Sequence, residues 1–160
     1  MKKLLLLWVF LPLFAVTACG SDSPEPENTD TEQYENQGNN MESDKIKLTT
    51  GNNTFTATLA DNSSAKALKE LLASGDITIH MRDYGNMEKV GSLGKTLPRN
   101  DEQITTSAGD LILYQGNQFV IYYAPNTYSL TRLGKIDKTT REELLSVLGS
   151  GDVKITLSIN

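Results

Sequence analysis

From Lys45 onward the chain is written in short alternating runs separated by turn residues, and this punctuation limits the fold more than any other feature. Lys45 to Thr50 and Thr54 to Ala60 alternate around Gly51-Asn52-Asn53. Successive side chains of a strand point to opposite faces, so alternation marks a strand with one buried face. Glycine and asparagine tolerate the left-handed backbone of a tight turn, so the two runs read as a β-hairpin. Asp110 to Tyr114 and Gln118 to Tyr123 are two more strands around Gln115-Gly116-Asn117, a second hairpin. Ile77 to Arg82, Tyr128 to Ile136 and Val153 to Ile159 are further strands, the last with Val153, Ile155, Leu157 and Ile159 on one face.

Two segments follow a helical period instead. In residues 62–74, Asn62 or Ser63 can cap the start, Ala65, Leu68, Leu71 and Leu72 form a stripe, and Gly75 can end the helix. Thr139 to Glu143 offer a capping box to a second helix with Leu144, Leu145, Val147 and Leu148 on its buried side and Gly149 as its stop. Many short strands with two short helices predict a mainly β domain, a closed barrel capped by the helices. Closure removes the exposed edges that an open sheet of this size would carry. Residues 45–160 are enough for one domain and too few for two.

The N-terminus reads as an address. Lys2 and Lys3 precede an apolar run from Leu4 to Val16, which is shorter than the roughly 20 residues a membrane span requires. Val16-Thr17-Ala18-Cys19 resembles the lipobox of bacterial lipoproteins. That resemblance implies a signal peptide over residues 1–18 and attachment of palmitate-type acyl lipid to Cys19. A single acyl chain holds a protein only reversibly, so stable anchoring needs the two or three chains such proteins carry. Cys19 is the single cysteine, so no disulfide can form within the chain and the domain must be held by its core.

Residues 20–44 carry eight acidic groups and no lysine or arginine, with one aromatic residue. Such composition predicts a disordered tether with an end-to-end distance of about 27 Å. The net charge of −5 is therefore a property of the tether: residues 45–160 hold 13 basic and 12 acidic groups. No basic face calls for nucleic acid. Ser21-Asp22 with the acids beyond resembles a surface-export signal of diderm lipoproteins, and Gly20 does not resemble an inner-membrane retention residue. The expected location is the outer membrane, on its periplasmic or surface face.

The order hairpin, helix, strand, long loop, hairpin, strand, helix, closing strand resembles the cyclophilin fold. Leu59-Ala60-Asp61-Asn62 followed by Ala65 to Leu72 is similar to that family's second strand and first helix. Asn117-Gln118-Phe119-Val120-Ile121 is similar to its S-Q-F-F-I strand, and Leu133-Gly134-Lys135-Ile136 to its F-G-K-V strand. Asp83 to Lys89, Gly109 to Tyr114 and Thr131 to Ile136 resemble bacterial cyclophilin-like proteins of uncertain activity.

The resemblance implies peptidyl-prolyl isomerisation, which uses neither cofactor nor metal. Rotation about X-Pro faces a barrier of about 20 kcal/mol because the amide is conjugated. In cyclophilins an arginine hydrogen-bonds at the proline nitrogen and an apolar pocket grips the ring. Arg82 matches that arginine. Strand alternation sends Thr78, His80 and Arg82 outward while Ile77, Ile79 and Met81 fill the barrel. His80 replaces the family phenylalanine, Val120 its aromatic floor, and Tyr128 falls near its tryptophan. Leu130 falls near its histidine and has no polar group to offer. The ligand-site candidates are thus Arg82, His80, Gln118, Val120 and Tyr128, with Arg82 the one catalytic candidate.

His80 is the one histidine, so no histidine-based metal site is indicated, and no phosphate-binding glycine pattern is present. Alternation also puts Tyr122 opposite Phe119, Ile121 and Tyr123, so some tyrosines face outward and can line a groove. Three functions follow: a membrane-tethered module binding a peptide or small ligand, a prolyl isomerase of the cell envelope, or an interaction domain of an envelope assembly.

Overall fold

The computed structural model describes residues 44–160. The signal segment over residues 1–18, Cys19 and the tether up to residue 43 lie outside the described residues. The elements run β1 (Lys45–Thr50), β2 (Asn53–Leu59), α1 (Ser63–Ala73), β3 (Ile77–Tyr84), β4 (Glu88–Ser92), β5 (Glu102–Thr105), β6 (Asp110–Tyr114), β7 (Gln118–Tyr122), β8 (Thr127–Ile136), α2 (Arg141–Leu148) and β9 (Val153–Ile159).

Eight strands close into an antiparallel barrel in the order β2-β1-β9-β3-β4-β7-β6-β8, with β8 pairing back onto β2. Two glycines make that ring possible. A Cβ on Gly134 would stand 2.4 Å from the Thr58 carbonyl oxygen, so the closing seam requires a residue without one. A Cβ on Gly91 would stand 2.5 Å from Ile79 Cγ2 and 2.6 Å from the His80 carbonyl oxygen, where β4 lies against β3.

The barrel is filled from inward-facing positions of nearly every strand, including Ile46, Leu48, Ile79, Met81, Leu111, Leu113, Phe119, Ile121, Ile155 and Leu157. The helices complete the same cluster. Asn62 caps α1, its side chain accepting from the Ala65 amide at 2.9 Å, and Ala65, Leu68 and Leu72 are buried. Thr140 and Glu143 form the capping box of α2, and Leu144 and Leu148 are buried. Each Leu or Ile side chain enclosed this way contributes about 1.5–3 kcal/mol.

The expected long loop between β3 and β6 contains two strands. β4 hides from an apolar-alternation reading because its two buried positions are Lys89 and Gly91. β5 lies outside the ring, pairing with the first half of β8 from Glu102↔Leu130 to Thr105↔Thr127. The chain between them is tied to α1: Ser64 Oγ donates to the Pro98 carbonyl at 2.6 Å, and Asn100 Nδ2 donates to Ser63 and Ser64.

Candidate binding groove

A second apolar layer covers part of the barrel exterior. Ile112, Val120, Tyr122 and Leu130 are its buried members, with Met87, Val90, Ile104 and Tyr114 packed against them. These are the outward positions of β4, β7 and β6, joined by residues of β8 and β5. A barrel wall facing only water would not need such a layer, and here it floors an open depression of about 480 Å³.

The walls follow from strand alternation and one tight turn. Arg82 and Tyr84 point outward from β3, and both are exposed. Gly85 (φ 62) and Asn86 (φ 52) reverse the chain through two successive left-handed residues. The reversal sets Glu88 opposite Tyr84 and Val90 opposite Arg82. Met87 closes the corner, its carbonyl accepting from the amides of Tyr123 and Ala124. Across the depression, Tyr114 and Tyr128 form a tilted aromatic pair with ring centroids 6.4 Å apart. Tyr84 and Tyr128 are 61% and 54% exposed, the most exposed large apolar side chains among the described residues.

Three polar groups meet within this aromatic frame. Asn126 Nδ2 donates to the Tyr122 hydroxyl at 3.1 Å. Burial, and then the neighbouring Glu88, push the Tyr122 hydroxyl upward from its ordinary pKa. Glu88 is half-buried, and burial raises its carboxyl pKa against the opposing pull of Tyr122.

A second depression of about 510 Å³ adjoins the first and shares Arg82, Val90 and Gln118 with it. Its other walls include His80, Asp152 and Lys154. His80 and Lys154 are cross-strand partners on β3 and β9.

The five candidates read from the sequence therefore separate. Arg82 and Gln118 lie on the boundary between the depressions, Tyr128 walls the aromatic one and His80 the charged one. Val120 lines neither surface. It is 1% exposed, within the apolar layer beneath. Glu88, Met87 and Asn126 also line the groove but carry no signal in the sequence, because β4 has no apolar alternation and Asn126 lies in the connection between β7 and β8. Among the described residues no group of three His, Cys, Asp or Glu side chains is placed to hold a metal, and no described helix is long and apolar enough to cross a membrane.

Among solved structures, the chain is similar to a hypothetical protein of Archaeoglobus fulgidus known from its solution structure. The TM-score is 0.57 at 9% identity, over 77% of this chain and 99% of that one. It is also similar to McbB, solved in complex with tryptophan, with a TM-score of 0.52 at 17% identity over 71% of this chain and 44% of that one. Both likenesses concern the fold. No curated protein matches the sequence. The pattern of the cyclophilin-like family matches residues 48–159, from within β1 to the end of β9. With the closed eight-stranded barrel and its two helices, that match shows that the chain belongs to the cyclophilin-like family.

Proposed function

We propose that this is a lipid-anchored module of the bacterial cell envelope, tethered through Cys19 to the outer membrane, that binds an extended peptide or small ligand in the groove over β3, β4, β7, β6 and β8. The observation that carries this reading is the aromatic-walled depression laid on its own apolar layer outside the barrel. Ligand sites are typically concave, lined by apolar and aromatic groups, and oriented by a few polar ones. Tyr114, Tyr122 and Tyr128 supply the first, and Glu88, Asn126 and Arg82 the second.

Isomerisation of X-Pro bonds is the second reading, favoured by Arg82 standing beside that apolar groove. Against strong catalysis, the position of the family's aromatic floor is held by Val120, which is buried and offers no ring to grip a proline.

The test is calorimetric titration of X-Pro peptides into the protein and into its Tyr128→Ala and Arg82→Ala variants. Affinity that falls in both variants supports the groove. Affinity unchanged in both places any binding elsewhere.

A further inference from the structure

Glu88 stands in the groove without a counter-charge. It is half-buried on the outer face of β4, and no lysine or arginine of the described residues forms an ion pair with it. Burial works against its ionised form. Arg82 faces the same depression but is paired with Val90, two steps along the ladder from the Tyr84↔Glu88 pair. Diagonal neighbours of this kind lie roughly 7–8 Å apart at Cα, and the Arg82 guanidinium makes no ion pair there. Tyrosines surround Glu88: Tyr84 is its partner on β3, Tyr122 its partner on β7, and Tyr114 with Tyr128 stand on the opposite wall. A cation placed over such rings is attracted by their quadrupole. A carboxylate that burial makes reluctant to ionise gains most from a ligand that brings a positive charge to it.

We propose that the tyrosine-walled depression selects a cationic side chain, lysine or arginine of an extended peptide, with Glu88 as its counter-ion. This rests on the binding-module reading and adds the charge class of the ligand. The aliphatic stem of such a side chain lies over the layer of Val90 and Leu130 while its head reaches Glu88, a division that lysine and arginine suit. Arg82, on the boundary with the second depression, stays available for a carbonyl oxygen of the peptide backbone.

The test uses the full chain in lipid nanodiscs and three acetylated, amidated peptides, Ala-X-Pro-Ala, with X as lysine, norleucine or glutamate. Norleucine keeps the stem and removes the charge. The lysine peptide should bind roughly fivefold more tightly than the norleucine peptide, and the glutamate peptide most weakly. Glu88→Gln should abolish the lysine preference, so that the variant binds the lysine and norleucine peptides equally. A second reading needs no variant: the titration of the Glu88 carboxyl carbon, followed by nuclear magnetic resonance, should move to lower pH with the lysine peptide and not with norleucine. Equal lysine and norleucine affinities, or a lysine preference that survives Glu88→Gln, overturn the inference while the groove still binds peptide. Preference for glutamate overturns it in favour of Arg82 as the selecting charge. No binding of any peptide overturns both this inference and the binding-module reading.

Discussion

The ammonium of Lys89 lies 2.7 Å from the carboxylate of Asp83, and the Lys89 side chain has no solvent exposure at all. Lys89 also donates to the Gly151 carbonyl at 2.8 Å, and the Tyr123 hydroxyl donates to the same Asp83 oxygen at 2.7 Å. The pair therefore joins β3, β4, the end of β7 and the turn before β9 in one buried network. No buried side-chain polar atom among the described residues is left without a partner.

A buried ion pair costs much of its attraction in lost hydration, but removing one partner strands the other. Lys89→Met is therefore expected to lower the unfolding free energy by about 3 kcal/mol in urea denaturation. A loss below about 1 kcal/mol would show that the network is incidental.

The same pair sets a pH dependence. Burial alone would raise the Asp83 carboxyl, but the hydrogen bonds from Lys89 and Tyr123 outweigh it and hold its pKa below the ordinary 3.8. A carboxyl whose folded-state pKa is depressed stabilises the fold fully above its unfolded-state value. That contribution is lost as the pH falls through the depressed folded-state value. Thermal stability of the wild type should thus decline at acid pH more steeply than that of Asp83→Asn. Parallel declines would contradict the assignment.

Gly134 tests the closure of the barrel. Gly134→Ala forces a methyl against the Thr58 carbonyl at the β2–β8 seam, and overpacking of this kind costs about 1–3 kcal/mol. Gly151→Ala is the control, because a Cβ there meets nothing within 4 Å and the backbone is not left-handed. Chemical denaturation should separate the two variants. Equal stabilities would mean that the seam is loose.

How much of this was legible in the sequence depended on what each strand buries. The β1–β2 hairpin and β9 alternate apolar with polar residues because their inner faces are apolar, whereas the β6–β7 hairpin was legible as two apolar runs around Gln115-Gly116-Asn117, both of its faces being covered. The capping box at Thr140 and the cap at Asn62 marked the helices for the same reason: each uses a side chain suited to the backbone it satisfies. β4 was illegible because its inward positions are a lysine and a glycine, whose burial only the folded partners Asp83 and Ile79 explain. β5 was illegible because it pairs only with β8 and has a single partly buried apolar residue, Ile104. The outward direction of His80 and Arg82 followed from alternation alone. Glu88 and Asn126 did not, because their place in the groove is set by the turn at Gly85-Asn86 and by the hydrogen bond to Tyr122.

Cys19 carries the localisation proposal. Cys19→Ala removes the thiol that would accept lipid, so the variant should leave the membrane fraction for the soluble fraction in detergent-free buffer. Retention in the membrane fraction would contradict lipid anchoring through this residue.

The central claim is that the outer groove binds ligands while catalysing poorly. Nuclear magnetic resonance of the protein mixed with an X-Pro peptide reads both halves in one sample, through amide shifts and through cis–trans exchange cross-peaks of the peptide. The account predicts shifts concentrated at Arg82, Glu88, Gln118, Tyr122 and Tyr128, with isomerisation remaining near its uncatalysed time of tens of seconds. Exchange accelerated by orders of magnitude in the wild type and abolished in Arg82→Ala, or an absence of shifts at those residues, would contradict it.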